Sequence, residues 1–176
     1  MRREMDAVRI GVISDTHGLL RPEAERCLAG ATHIIHAGDI GRPEVIAGLS
    51  RIAPVIAIKG NVDTADWAAS YPDTATVKLG GRVIHVLHDV HELKLDLKSS
   101  GIDVVISGHS HRPGIEIVDS VLFLNPGSAG PRRFSLPITV ATLELTGSGI
   151  RPVIHQLGAT REAPGEGTKT GRGPSG

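Results

Sequence analysis

Seven side chains of metal-binding type recur in a fixed order along the chain: Asp15 and His17, then Asp39, Asn61, His88, and finally His109 and His111. They occur as Asp-x-His, Gly-Asp, Gly-Asn-x-Asp, His and Gly-His-x-His. Successive separations from Asp15 to His109 are 24, 22, 27 and 21 residues. Asp15 and His17, like His109 and His111, stand two apart. In extended chain that spacing aims both side chains of a pair at one point. Gly38, Gly60 and Gly108 allow sharp turns and close approach of the backbone to an ion. The set offers two carboxylates, one amide oxygen and four imidazoles. One octahedral ion would leave a surplus, whereas two ions sharing a carboxylate use them all. Oxygen-plus-imidazole ligation suits Mn, Fe, Co, Ni or Zn better than Ca or Mg.

These residues must be held by the elements that precede them. Each early polar group follows an apolar run of strand length: Val8 to Ile13, Thr32 to Ala37, Val55 to Lys59, Val83 to Leu87 and Val104 to Ser107. Helices are expected over Arg21 to Ala29, with Pro22 in its first turn and Gly30 at its end, over Pro43 to Arg51, and around Glu92 to Ser99. The polar groups therefore sit at the carboxyl ends of strands, where ligand sites form in open α/β sheets. Later runs, Ile115 to Val118, Val121 to Leu124, Ile138 to Leu145 and Ile150 to Leu157, read as strands joined by tight turns at Asp119-Ser120 and Gly147 to Gly149. Helices early and hairpins late imply a mixed α/β fold. One domain is expected over 1–157, followed by a flexible tail over 158–176, whose six glycines, two prolines and lack of large apolar residues leave little to bury.

Composition narrows the function. The chain has 176 residues, with 19 Lys+Arg against 19 Asp+Glu. Zero net charge argues against a stable nucleic-acid complex, which normally rests on a basic excess. Aromatic residues make up only 2%, too few for a base-stacking platform along a strand. There is no apolar run of membrane-spanning length, and acidic Glu4 and Asp6 argue against an export signal. The single cysteine, Cys27, excludes an internal disulfide or a thiolate cage and fits a cytoplasmic, reducing compartment.

The ordered ligand series, together with the Asn125-Pro126-Gly127-Ser128 turn, resembles the calcineurin-like metallophosphoesterase superfamily, in particular its small bacterial and archaeal phosphodiesterase branch. The likeness runs from about Val8 to His155. It implies a four-layer α/β/β/α sandwich of two mixed β-sheets flanked by helices. It also implies a phosphodiesterase acting on small phosphodiester substrates through a hydroxide bridging two divalent ions, with Mn2+ the expected metal. Asp15, His17 and His111 would bind one ion and Asn61, His88 and His109 the other, with Asp39 bridging. Asp39, Asn61 and His88 would take part in catalysis. Relatives of this size form dimers or tetramers, so a homo-oligomer is expected. The alternative is a non-catalytic scaffold, since a eukaryotic retromer subunit resembles the same fold; the complete ligand set favours the enzyme.

Two positions depart from the pattern. Val62 stands where many relatives carry a histidine that contacts phosphate or protonates the leaving group, which predicts slow turnover and a need for good leaving groups. Asp89 replaces the usual glycine after the ligand histidine; it either supports the metal site or perturbs the substrate edge. Asp63 either orients Asn61 or caps the next helix. His36, three residues before Asp39, is the other histidine best placed to support a ligand, whereas His33, His85, His91 and His155 read as structural or exposed. Cys27 reads as a small core residue. Arg132 and Arg133 either meet a substrate phosphate or lie on a solvated loop.

Overall fold

The computed structural model describes residues 7–158. The tail expected over 158–176 lies, apart from Gly158, outside the described residues. The first half reads β1 (Val8–Ile13), α1 (Pro22–Leu28), β2 (His33–His36), α2 (Pro43–Ser50), β3 (Val55–Ala57), β4 (Thr74–Leu79) and β5 (Arg82–Leu87). The second half contains α3 (Leu97–Ser100), β6 (Val104–Ile106), β7 (Gly114–Val118), β8 (Val121–Asn125), β9 (Thr139–Thr146) and β10 (Gly149–Gln156).

Two five-stranded mixed sheets result, in the orders β10-β9-β1-β2-β3 and β4-β5-β6-β8-β7. In each, parallel strands form the part from which the polar loops emerge: β1 with β2 and β2 with β3, then β5 with β6 and β6 with β8. The sheets face each other across a layer of β-branched and leucine side chains, among them Ile10, Val12, Ile35, Ile84, Val86 and Ile106, all fully buried. Truncating one of these to alanine typically costs about 2–5 kcal/mol, because the cavity left behind refills only partly.

The outer faces are covered unequally. Ala24 and Leu28 of α1 and Val45 and Leu49 of α2 close over Ile13 and Ile34 of the first sheet. Pro22 opens α1 and Pro43 opens α2, where a missing N–H costs nothing. A side chain at Gly11 would collide with Leu28, so the glycine lets α1 settle directly on β1. The second sheet has only a thin cover, in which Leu93 and Leu97 pack over Leu87 and Val105.

That thin layer corrects the expected helix around Glu92 to Ser99. A 3-10 turn spans Val90–Glu92, and α3 is four residues long. Asp96 interrupts the segment by accepting from the Lys98 N–H and the Ser99 hydroxyl, which makes it an N-cap and not an interior residue. Gly101, at φ 70°, ends the helix one turn later.

Strand β4 is not among the elements expected from the sequence. Its signal is present, because Thr74 to Leu79 alternates exposed and half-buried residues and Gly80-Gly81 takes positive φ at both positions of the hairpin turn. Among the described residues, no helix is long and apolar enough to cross a membrane.

Candidate metal centre

Five of the seven candidate ligands share an unusual backbone. Asp15, His17, Asp39, His109 and His111 have φ of 54°, 46°, 54°, 68° and 60°. The expectation that the i, i+2 pairs converge because the chain is extended is therefore wrong. Both members of each pair are left-handed, and convergence comes from the turns themselves. A non-glycine residue in this region costs roughly 1–2 kcal/mol. Here the conformation is imposed by hydrogen bonds between loops: Asp15 N–H to Gly38 O at 3.0 Å, His17 N–H to Asp39 O at 3.0 Å and Gly18 N–H to Ile40 O at 2.7 Å.

Asp15 and Asp39 are each held by one carboxylate oxygen, leaving the other to face the cluster. Asp15 Oδ2 accepts from the Ser14 hydroxyl at 2.7 Å and the His109 N–H at 3.1 Å. Asp39 Oδ1 accepts from the Val62 N–H at 3.1 Å. The free oxygens meet the imidazoles. Asp15 Oδ1 is 3.3 Å from His111 Nε2 and 3.9 Å from His88 Nε2. Asp39 Oδ2 is 3.3 Å from His88 Nε2 and 3.7 Å from His17 Nε2. Two compact trios result, Asp15-His17-His111 and Asp15-Asp39-His88, with ligand atoms of each within 4.8 Å of one another.

The fit to a cation is tested by atoms that lack partners. Asp15 Oδ1, His17 Nε2 and His88 Nε2 are buried and make no hydrogen bond within the protein. Such atoms are costly unless something pairs with them. Asp15 Oδ1 lies 4.0 Å from His17 Nε2 and 3.9 Å from His88 Nε2, between the two trios, and carboxylate oxygen with imidazole nitrogen is the donor set of a transition-metal site. The residues present fit such an ion.

Charge follows the same geometry. Burial pushes the Asp15 carboxyl up, against the pull of Ser14 and of the neighbouring imidazoles. Burial acts likewise on Asp39, but its close contact and charge interaction with His88, and the Val62 N–H, bring it below the ordinary value. For His88, burial favours the neutral ring, yet Asp39 and the Ala37 carbonyl outweigh it and hold the group at about 9. Burial lowers His111.

Asn61 and His109 are more exposed. With His88, Asp89 and Lys59 they line a cleft of about 370 Å³ beside the trios. The ring of His109 meets that of His88 edge-on at 5.1 Å, and its Nε2 lies 3.9 Å from Asp89 Oδ2. The structure thus groups Asp15, His17, Asp39, His88 and His111 tightly and sets Asn61 and His109 at the rim.

Several supporting residues were only partly legible. Asp63 does not act through Asn61 and caps no helix. Its buried carboxylate accepts from the N–H groups of Ile40, Gly41 and Gly60 at 2.9–3.0 Å, tying the Asp39 loop to the Asn61 loop. The clue was an aspartate three residues after a glycine, a turn-forming arrangement. Asp89 accepts from both the N–H and Nδ1 of His91, which anchors it at the cleft wall facing His109. Asn125 of the Asn-Pro-Gly-Ser turn donates to Gly108 O at 2.9 Å, and Ser128 donates to Asp15 O at 3.1 Å, so that turn braces two ligand loops. Gly60 and Gly108 are needed for space and not for positive φ: a side chain on them would overlap the Asp39 and Asp15 carboxylates, respectively. Arg132 is exposed and donates to Leu136 O within its own loop.

His36 supports the site through the backbone. It is fully buried, and burial lowers it to about 3. Thr16 gives its hydroxyl proton to Ile40 O, so the bond of 2.9 Å to His36 Nε2 is donated by the ring; Nδ1 accepts from the Gly38 N–H at 3.2 Å. A neutral ring protonated at Nε2 satisfies both contacts.

A two-sheet sandwich with carboxylates and imidazoles gathered at the strand ends defines a class, and the comparison with known proteins agrees. The chain belongs to the calcineurin-like phosphoesterase superfamily, whose domain model matches residues 8–148. It is 38% identical over 128 residues to a probable metallophosphoesterase of Methanocaldococcus jannaschii, covering 68% of this chain and 67% of that one. Among solved structures it resembles one described as a novel archaeal phosphodiesterase, with 27% identity and a TM-score of 0.71, covering 84% of this chain and all of the other. The Vps29 protein of Chaetomium thermophilum shares the fold at 21% identity, with a TM-score of 0.73 and coverage of 85% and 88%.

Proposed function

We propose that the protein is a divalent-metal-dependent phosphodiesterase that hydrolyses phosphate esters at a two-metal site. The observation that carries this reading is a shared buried carboxylate: Asp15 Oδ1 lies within 4.0 Å of the unpartnered Nε2 atoms of both His17 and His88, beside Asp39. Asp15, His17 and His111 would hold one ion and His88, His109 and Asn61 the other, with Asp39, whose Oδ2 faces both His17 and His88, available to both. When bound, two such ions supply a nucleophilic water at neutral pH and neutralise phosphoryl oxygens for in-line displacement.

The chain's own residues orient and position. The His88 Nδ1–H is committed to Ala37 O, so Nε2 is the nitrogen that would give up its proton and face a bound metal. Asp63 holds the Asp39 and Asn61 loops at a fixed separation. Val62 cannot donate a proton to a departing alkoxide, so diesters with acidic leaving groups are favoured. Mn2+ is the metal proposed, and the lone Cys27 suits a reducing compartment. The reading is tested with bis(p-nitrophenyl) phosphate and added Mn2+, comparing the protein with Asp39→Asn. Hydrolysis by the parent, strongly reduced in the variant, supports it. Inactivity of both, with no metal retained on dialysis, favours a protein-binding scaffold of the kind the shared Vps29 fold suggests.

A further inference from the structure

A second concavity of about 430 Å³ lies on the far side of the His109 loop from the cleft that contains Asn61 and His88. No candidate ligand lines it, but its wall adjoins two of them in sequence. Ser110, which lines it, stands between His109 and His111, and Val90 follows Asp89. Neighbouring Cα atoms are about 3.8 Å apart, so a group seated here is within one residue of two candidate ligands. The wall is braced: Asn125 Nδ2 donates to Gly108 O and to the Ser110 hydroxyl, which also accepts from the Arg112 N–H.

The lining is mixed. Val90, Ile115 and Phe123 supply apolar surface, while Arg112 and Glu116 place a donor and an acceptor at the edge. A cavity of this size, mostly apolar with a few directional groups, suits a small organic moiety. A ring such as Phe123 favours a planar partner. A planar group that also offers hydrogen-bond donors and acceptors is a nucleobase-like heterocycle.

We propose that this concavity receives the non-leaving arm of the diester, and that the arm is a nucleoside. This rests on the phosphodiesterase reading above. The phosphate sits at the metal centre, and the arm passes beside His109 over Ser110 into the cavity. The single aromatic ring there serves one base, which agrees with a small-molecule substrate and not a nucleic-acid strand.

Gly114 gives a clean test. It lines the cavity on the edge strand β7, a side chain built on it meets nothing within 4 Å, and its φ lies outside the left-handed range. Gly114→Trp therefore adds bulk at the cavity wall without strain, with a residue that strands accept well. Two substrates with the same leaving group are compared, thymidine 5′-(p-nitrophenyl phosphate) and methyl p-nitrophenyl phosphate. The expected result is a loss of about tenfold or more in kcat/KM on the nucleoside ester, mainly through KM, with the methyl ester nearly unchanged. Arg112→Gln should weaken the nucleoside ester alone, to a smaller degree. Equal effects on both esters, or no effect on either, overturn the proposal. Binding of thymidine 5′-monophosphate by equilibrium dialysis gives a readout independent of turnover. Weaker binding by Gly114→Trp supports the cavity, and unchanged binding overturns it. If the parent protein cleaves neither ester, it is the phosphodiesterase reading that fails, and the dialysis result still decides the cavity.

Discussion

The Nδ1–H of His88 donates to the main-chain carbonyl of Ala37 at 2.8 Å, across 51 positions of sequence. His88 follows β5 in the second sheet and Ala37 follows β2 in the first, so the bond spans the seam of the sandwich. It also fixes which ring nitrogen is free. With Nδ1 engaged, Nε2 is the nitrogen aimed at Asp39 and Asp15, and the one available to a metal that displaces its proton.

Metal loading should therefore be visible as stability. Ions that bind only the folded state raise it by RT ln(1 + [L]/Kd), about 2.7 kcal/mol at one hundred times Kd. Mn2+ is expected to raise the melting temperature of chelator-treated protein. His88→Ala should abolish most of that shift, and elemental analysis should show reduced metal content. An unchanged shift in the variant would remove His88 from the ligand set.

Asp63 makes a separable prediction, because it touches no candidate metal position directly. Residues that orient ligands typically cost 10–100-fold in metal affinity or activity when changed. Asp63→Asn should weaken Mn2+ binding within about that range while retaining the fold by circular dichroism. Asp63→Ala, which strands buried N–H groups at about 1–3 kcal/mol each, should lower the urea midpoint markedly. Equal metal affinity in Asp63→Asn and the parent would show that the loops hold their spacing without it.

The left-handed ligands predict a trade between stability and binding. His17 sits at φ 46° with Nε2 unpartnered, so without metal it contributes strain and little else. Asparagine tolerates this conformation better. In the presence of EDTA, His17→Asn should be more stable than the parent by about 1 kcal/mol in urea unfolding. With Mn2+ the order should reverse. A variant less stable than the parent under both conditions would contradict this account of the turn.

Acid sensitivity should trace in part to His36. Its folded value lies near 3, below the ordinary 6.5, because burial opposes the charged ring. Between those values the unfolded chain takes up a proton that the folded chain refuses. Stability is therefore complete above about pH 6.5 and falls on acidification, by up to about 1.4 kcal/mol per pH unit for one such group. His36→Gln should show a shallower loss between about pH 6.5 and pH 5 in chelator-treated protein. Parallel pH profiles for the two proteins would assign the acid sensitivity elsewhere.

What the sequence disclosed follows the range of the interactions involved. The strands before each polar cluster were legible because burial on both faces favours runs rich in β-branched residues, as in Val8 to Ile13, interrupted only by Arg9 and Gly11, and Val104 to Ile106. The ligand types were legible because metal chemistry restricts them. Their backbone was not, since the left-handed turns at Asp15 and His17 are imposed by Gly38 and Asp39, which lie far away in sequence. Asp63 escaped for the same reason: two of its three N–H partners, Ile40 and Gly41, belong to another loop. The failure over Glu92 to Ser99 was of a different kind. Asp96 caps a short helix instead of continuing a longer one, and a local hydrogen bond decided where the helix begins.

Because the gathered loops belong to both sheets, the cluster acts as a rivet at one rim of the sandwich, while the opposite rim is closed by hairpins, packing and contacts such as the Arg82–Asp103 ion pair. Opening motions should then be lopsided. Amide exchange ought to slow with cation concentration for the strand ends nearest Ala37 and Leu87, and to remain indifferent to it around the Gly80-Gly81 turn, so that the molecule breathes from the end that carries no chemistry.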